Sequence, residues 1–511
     1  MKKKRWRSLL RRRLLIILLI LVQLAFIIYT LASGSIASSI ISKALTALSV
    51  LVCLYIVSSD SKGAYKLTWV FMILLFPVFG GLFYLFFSFQ STTKRAAEKS
   101  ARAEQKAKEL YRLPSDAYTA ACDAFPTAAP QIKYLQNCGG FPIYSGTDTK
   151  YLTPGEEKFK HLLEELKKAE KYIFLEYFII EEGIMWDAVL GILKQKAREG
   201  VKVRLMYDDM GCFFLLPKDY PKKLAKFGIE CAVFNRFIPV LASLQNNRDH
   251  RKIAVIDGKV AFTGGINLAD EYINAYEKHG HWKDASVMIK GSAAWSFTLM
   301  FLQMWELGGG ADEDYSQYYP WQDAPVPDTQ DGFVQPYADS PIDKENIGEQ
   351  VYLQIINNAK EYLYINTPYL IIDDGMVSAL CLAAKSGVDV RIVTPHKWDK
   401  WAVHMTTRSY YRQLISAGVK IYEYSSGFIH SKTFVSDDTV ATVGTTNLDF
   451  RSLYLHFECG VLMFGSSAVD EVKADFLKTL ETCQPIRERD CRYNIFLRAF
   501  QDIMRLFAPL L

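Results

Sequence analysis

The sequence predicts an α/β protein of two similar lobes, each a mixed sheet flanked by helices, preceded by transmembrane helices. Three observations predict it. The pattern His-x-Lys, four further residues, then Asp occurs twice, 180 residues apart: His250, Lys252 and Asp257, then His430, Lys432 and Asp437. Similar strand and helix signals surround both copies. Three apolar stretches, at 14–32, 36–57 and 67–89, precede them.

Residues 1–90 are expected to form the membrane-spanning region. The stretch 14–32 offers about 19 apolar residues, enough to cross a bilayer. It is embedded in charge and lacks a clean small-residue cleavage site, so it reads as an anchor and not as a removed signal peptide. The stretch 67–89 reads as a further span with Pro77 and Gly80-Gly81 inside it. The stretch 36–57 is apolar but carries several serines and Lys43. Residues 91–140 follow as a charged Ala/Lys/Glu-rich helix and a Pro/Ala linker. Lobe one is expected over 141–325 and lobe two over 326–511, with the Gly, Pro and Asp residues of 308–345 marking the connection. The end, from Tyr493 to Leu511, mixes large apolar residues with Arg498 and Arg505, as an amphipathic helix against the membrane or the core would.

Charge separates function classes. The chain carries a net +5, but eight basic residues lie in the first 13, so the remainder is at −3. A nucleic-acid enzyme ordinarily places its cleft on a basic domain, and this balance argues against nucleic acid as a partner. The first basic cluster reads as a cytoplasmic anchor. A second basic run, from Lys94 to Arg112, follows the last apolar stretch. If both runs stay inside, the number of spans is even, the catalytic region faces the cytoplasm, and 36–57 is re-entrant or pairs with its neighbour as a hairpin. Three true spans would place it outside. The nine cysteines are scattered and odd in number, without metal-ligand spacing, so neither a disulfide framework nor a structural metal is expected.

The surroundings of the two motifs correspond. Ile173 to Ile180 and Leu363 to Leu370 are apolar, aromatic runs that read as buried strands. Each runs into acidic residues and Gly183 or Gly375. A helix then ends at Gly200 or Gly387, where glycine supplies the left-handed closing residue. A strand follows at Val201 or Val388, and a second helix ends at Gly228 or Gly418. A repeat of about 180 residues is a duplicated domain, far longer than a solenoid unit.

Inside each motif, residues two apart on a strand share a face. His250 and Lys252 therefore project together, as do His430 and Lys432, while Arg251 and Ser431 face away. Histidine serves as a nucleophile or proton carrier near neutral pH, and lysine holds a phosphate oxygen. Asp257-Gly258 and Asp437-Asp438 make hairpin turns. The return strands bring Gly264-Gly265 and Asn267, and Gly444-Thr445 and Asn447, back beside the histidines. His to Asn is 17 residues in both copies. Small residues there let backbone N–H groups approach an anion.

These paired motifs resemble those of the phospholipase D superfamily over roughly residues 140–490. The resemblance implies one active site between the lobes, holding both histidines and both lysines. One histidine would attack phosphorus to give a phosphohistidine, and the other would protonate the leaving alcohol and deprotonate the incoming one. His250 is expected as nucleophile and His430 as acid/base, by analogy with the family's two-lobed lipases. Lysines and asparagines would hold the nonbridging oxygens, with no metal and no cofactor. Family members place a histidine-orienting carboxylate about 30 residues on, which points to Asp284, 34 after His250, and Glu458, 28 after His430. Asp257 and Asp437 are expected to brace their turns. The first phosphate loop departs from the family's Gly-Ser, so Gly265 is expected to offer backbone contacts alone, whereas Thr445 retains a hydroxyl.

Apolar spans ahead of such a core resemble the bacterial cardiolipin synthases, as do the stretches Asn267 to Tyr272, Gly444 to Ser452 and Trp69 to Phe87. This resemblance implies a phosphatidyltransferase of the cell membrane that joins two phosphatidylglycerol molecules and releases glycerol. A hydrolytic phospholipase D and a phosphatidylserine synthase stand as alternatives within the superfamily. Oligomeric state is not legible.

Overall fold

The computed structural model describes residues 36–510, apart from 77–78, 89–90, 112–114, 238–242, 323–328 and 330, together with positions 21, 25, 28, 29 and 32. Most of the stretch 14–32 lies outside the described residues.

Lobe one contributes strands β1 (Thr147–Leu152), β2 (Tyr172–Tyr177), β3 (Lys202–Asp208), β4 (Glu230–Phe234), β5 (Arg248–Asp249), β6 (Lys252–Ile256), β7 (Val260–Gly264), β8 (His281–Lys283) and β9 (Ser286–Gly291). Seven of them form a mixed sheet in the order β1-β9-β7-β6-β2-β3-β4. Lobe two contributes β10 (Phe333–Asp339), β11 (Tyr362–Asn366), β12 (Leu370–Ile371), β13 (Asp389–Pro395), β14 (Lys420–Tyr424), β15 (Gly427–Ile429), β16 (Thr433–Ser436), β17 (Val440–Gly444), β18 (Leu448–Asp449), β19 (His456–Phe464) and β20 (Cys483–Ile486). Its sheet runs β10-β19-β17-β16-β11-β13-β14-β20. The first seven strands repeat the order of lobe one. β10 falls inside the stretch read as connection, because its Gly- and Pro-flanked sequence hides an edge strand.

The short strands β5, β8 and β15 join the lobes. β5 pairs with β19 of lobe two, placing Arg248 opposite His456 and Asp249 opposite Phe457. Conversely β15 pairs with β8 of lobe one, placing Gly427 opposite His281 and Ile429 opposite Lys283. Each lobe thus lends the strand that precedes its histidine to the other.

The apolar runs behave as buried strands should: every residue of β2, β6 and β7 is buried. The helix Ala294–Leu307 is apolar on all sides and buried along nearly its whole length, as expected of a helix inside the core. Its Phe301 stacks on Phe174 of β2 at 4.7 Å. Burying each such ring contributes about 2–3 kcal/mol.

The turn aspartates are placed by the backbone. Asp257 and Asp437 sit at φ 53° and 54°, in the left-handed region that Asp and Asn tolerate better than most side chains. Asp257 accepts the N–H groups of Glu170, Lys171 and Tyr172, at 2.8 Å each. Asp437 accepts those of Lys360, Glu361 and Tyr362, at 2.8, 3.0 and 2.9 Å. Both therefore tie the entry of the neighbouring central strand to the hairpin, at the end of the strand remote from the histidine. They brace the motif and do not belong with its reacting groups.

In the N-terminal region Ser39–Ser58 is the one described helix long and apolar enough to cross a membrane. The stretch 67–89, expected as a single span, is divided into helices Gly63–Leu75 and Gly80–Ser88. Proline disfavours helical geometry in the residue before it, and Phe76, which precedes Pro77, has left the helix at φ −128°, ψ 64°. The second helix folds back closely. A Cβ on Gly80 would lie 2.7 Å from Ile73 Cα, and one on Gly81 2.8 Å from Ser49 Oγ. This apolar unit docks on lobe two, where Thr68 donates to Leu506 O at 2.8 Å and Lys62 pairs with Glu349 at 2.7 Å.

Replacing Asp437 or Asp257 by Ala removes three charge-assisted hydrogen bonds and leaves a left-handed residue without its favourable side chain. The midpoint of thermal unfolding should fall, with a loss of roughly 2–3 kcal/mol. Asn at the same position should recover part of it. Melting curves of Asp437→Ala superimposing on the parent's would refute the bracing role.

Candidate active site

The lobe-joining strands determine which carboxylate meets which histidine. His250 donates its backbone N–H to Phe457 O at 3.0 Å, and His430 donates its own to Lys283 O at 2.7 Å. Each histidine therefore lies beside the residue that follows its backbone acceptor, Glu458 after Phe457 within β19 and Asp284 after Lys283 at the end of β8. His250 Nδ1 meets Glu458 Oε1 and Oε2 at 2.9 and 3.1 Å. His430 Nδ1 meets Asp284 Oδ2 at 2.6 Å. The pairing suggested by sequence distance, Asp284 with His250 and Glu458 with His430, is thus reversed. Each carboxylate orients the histidine of the other lobe. Sequence distance misleads here because the pairing runs across the interface.

A carboxylate only accepts. The ring proton is therefore assigned to Nδ1 in both histidines, and Nε2 presents its lone pair. Both rings line one cavity of about 630 Å³, together with Asn267, Asn447, His456 and Arg451. Burial holds His250 well below its usual range, with Lys252 and His456 adding to the effect. Burial and Lys432 bring His430 down to about 4, although Asp284 opposes them. Both imidazoles are neutral at pH 7. Burial also pushes Glu458 upward, against Lys252 and the Thr445 hydroxyl.

The lysines lie under the histidines as their spacing requires. Lys252 Nζ donates to His250 O at 2.6 Å. Lys432 Nζ donates to His430 O and lies 2.8 Å from His430 Nδ1, a close contact and not a hydrogen bond while Nδ1 carries the ring proton. Burial lowers Lys252 to about 8 and Lys432 to about 7. Arg251 faces away, donating to Glu458 O and Asp339 O at 3.1 and 3.2 Å.

The loop residues differ from expectation. Gly264, Gly265, Gly444 and Thr445 pack against the strand segment that carries the orienting carboxylate, and do not form an anion cradle. A Cβ on Gly265 would lie 2.0 Å from Asp284 Oδ1, one on Gly264 2.3 Å from Ala285 O, and one on Gly444 2.7 Å from Cys459 O. The Thr445 hydroxyl donates to Glu458 Oε2. Glycine makes room for one carboxylate, and threonine supports the other. Asn267 accepts from Ile179 N at 3.0 Å and donates to Tyr272 Oη at 2.7 Å, which leaves one amide hydrogen. Asn447 Oδ1 is buried without a hydrogen-bond partner.

Several groups escaped the sequence reading. The ring of Phe178 lies 4.9 Å from that of His250. Trp282 and Tyr272 lie 5.2 and 5.8 Å from His430. His456 shares the strand face of Glu458, two residues on, and its ring is 5.3 Å from His250. Strand alternation around Glu458 was the available signal for it. His250, His456 and Glu458 have ligand atoms within 4.8 Å of one another, the one group among the described residues able to hold a metal ion. Burial depresses His456, and the cationic field of Arg451, Lys252 and Arg248 that adds to it also opposes a divalent cation there.

The family model described as "Cardiolipin synthase, PLD-like domain" matches residues 162–299 and 352–480, and "Phospholipase D-nuclease N-terminal" matches 44–88. An uncharacterized protein of Streptococcus mutans is 43% identical over 459 residues, covering 90% of this chain and 99% of its own. A cardiolipin synthase of Geobacillus kaustophilus is 34% identical over 464 residues, covering 90% and 92%. The crystal structure of the phosphatidylserine synthase of Haemophilus influenzae superimposes with a TM-score of 0.54 at 14% identity, over 72% of this chain and 94% of that one, a likeness of fold.

Gly265→Ala tests the crossed pairing. The added methyl displaces Asp284 and so disorients His430, in the other lobe, and activity should fall by roughly 10²-fold or more, as when a histidine loses its orienting carboxylate. Asp284→Asn should reproduce the loss, and adding Gly265→Ala to it should cost little more. Multiplying losses would place the two residues on separate functions.

Proposed function

This chain belongs to the cardiolipin synthases built from phospholipase D-like domains, and from that premise we propose that it transfers a phosphatidyl group from one phosphatidylglycerol to another and releases glycerol. The observation that carries this reading is one cavity lined by both histidines and both asparagines, with the two motif lysines buried beside the histidine carbonyls and each histidine oriented from the opposite lobe.

In the first step, His250 Nε2 attacks phosphorus. The P–O bond to the headgroup breaks, and glycerol leaves with a proton from His430. In the second, His430 takes the proton of a hydroxyl on the headgroup of a second phosphatidylglycerol. That oxygen attacks phosphorus, and the P–N bond breaks to give cardiolipin and free His250. Lys252 and Lys432 oppose the charge that develops on the nonbridging oxygens, in a buried setting where such stabilisation is strong. A bound phosphodiester offsets the lysine field and favours protonation of His430. The aromatic wall of Phe178, Tyr272 and Trp282 favours a lipid alcohol over water.

The cavity reaches Phe450 and Ala508, and Phe450 meets Tyr65 of the apolar N-terminal unit at 6.1 Å. This supports lipid entry from the membrane side. We place the chain in the bacterial cell membrane with its catalytic region on the cytoplasmic face, in keeping with the basic runs around the apolar region.

Phosphatidylglycerol liposomes incubated with the purified protein, without metal or nucleotide, should yield cardiolipin and glycerol. His250→Ala and His430→Ala should each abolish the reaction. Phosphatidic acid as the sole product would make the protein a lipase.

The pH dependence has a definite sign. The lysines act as cations, and the free enzyme loses that charge as pH rises through about 7 for Lys432 and about 8 for Lys252. The alkaline limb of kcat/KM, which reports the free enzyme, should therefore fall between pH 7 and 8. In kcat it should move upward, because bound phosphate favours the ammonium. A kcat/KM flat to pH 9 would contradict this assignment.

A further inference from the structure

The C-terminal helix Ile495–Leu506 has three faces. Gln501 is buried against the helix Trp401–Ser416, donating to Met405 O at 3.3 Å. A second face is apolar and bare: Ile495, Phe496 and Ile503 are 77%, 84% and 55% exposed. It continues into the membrane unit, where Phe71 meets Phe507 at 5.8 Å and Leu74 is exposed. Between these two faces lies an edge carrying Arg498 and Arg505.

That edge closes a cavity of about 620 Å³ which also receives Arg408, Arg412 and Arg492. Five arginines meet two acids there, Glu488 and Asp502. Arg408 is paired with Glu423 at 3.3 Å, and Arg505 donates to Gln413 Oε1 at 3.1 Å. Arg412, Arg492 and Arg498 are exposed and, among the described residues, form no ion pair. The buried Tyr493 hydroxyl on the wall has no hydrogen-bond partner of normal geometry. The two motif histidines line a different cavity.

An apolar helix face flanked by guanidinium groups is the arrangement that seats a helix at the boundary of headgroups and acyl chains. Arginine matches phosphate with paired N–H donors and is more weakly hydrated than lysine. We infer that this cavity is a second phospholipid site, separate from the active site, that holds the phosphate of an anionic phospholipid while its acyl chains lie along Ile495, Phe496 and Ile503. The inference extends the lipid reading of the active site. The occupant would seat the catalytic lobes on the anionic leaflet that supplies substrate.

Equilibrium binding of radiolabelled phosphatidic acid to the full chain, in neutral-detergent micelles with excess phosphatidylcholine, tests it. R412Q/R492Q/R498Q should weaken one saturable component by roughly tenfold or more, the equivalent of one charge-assisted contact. R412K/R492K/R498K should retain more binding than the glutamine variant, and the parent's turnover of phosphatidylglycerol in detergent should persist in both variants. Unchanged binding in the glutamine variant overturns the site. So does displacement of the lipid by inorganic phosphate at equal concentration, which would make it a free-anion site. Because binding is read apart from turnover, failure of the transferase reading would show in the product assay alone.

Discussion

The exchange of short strands between the lobes is the constraint on which the site depends. β5 of lobe one continues the sheet of lobe two at His456 and Phe457. β15 of lobe two pairs with β8 just ahead of Asp284. Backbone hydrogen bonds from His250 and His430 extend these pairings by one residue. A histidine therefore cannot be oriented until the lobes have closed, and neither lobe alone contains a complete catalytic pair. This gives the duplication a mechanical meaning: two copies are required because each finishes the other.

Burial makes this arrangement chemically useful. The two lysines and both histidines are almost wholly withdrawn from solvent. Desolvation disfavours charge on every one of them, so the histidines rest neutral and the lysines sit near their ionisation points. An arriving phosphodiester supplies the negative charge that such a site lacks. The orienting carboxylates keep their positions by different means. Glycine at 265 leaves the space that Asp284 fills, and Thr445 donates to Glu458. The site is therefore symmetric in plan but not in chemistry, and it is more aromatic around His430 than around His250.

The membrane side repeats the theme of elements completed by neighbours. The short helix Gly80–Ser88 packs back on Gly63–Leu75 at Gly80 and on Ile36–Ser58 at Gly81. That unit rests on the C-terminal helix through Thr68 and Phe71. The apolar surface and the catalytic cavity thus meet at Phe450 and Ala508, where a lipid substrate would pass between them.

The sequence alone determined much of this protein. The alternation of His250 with Lys252 and of His430 with Lys432, the turns at Asp257 and Asp437, and the equal spacing to Asn267 and Asn447 are local, and strand periodicity expresses local geometry directly. The two-lobed fold followed from the repeat of these landmarks, and the bracing role of the aspartates from the turns they occupy. The tertiary structure decided the rest. Which carboxylate meets which histidine depends on strands paired more than 140 residues apart in sequence. The work of Gly265 and Thr445 depends on a strand that packs against them from elsewhere in the chain. His456 enters the site only because β19 turns that face inward. The division at Phe76 was written in Pro77, but the tight return of the next helix depends on what Gly80 and Gly81 touch. Local patterns are legible because neighbouring residues enforce them. Partners across an interface are not, because their distance along the chain carries no information about their distance in space.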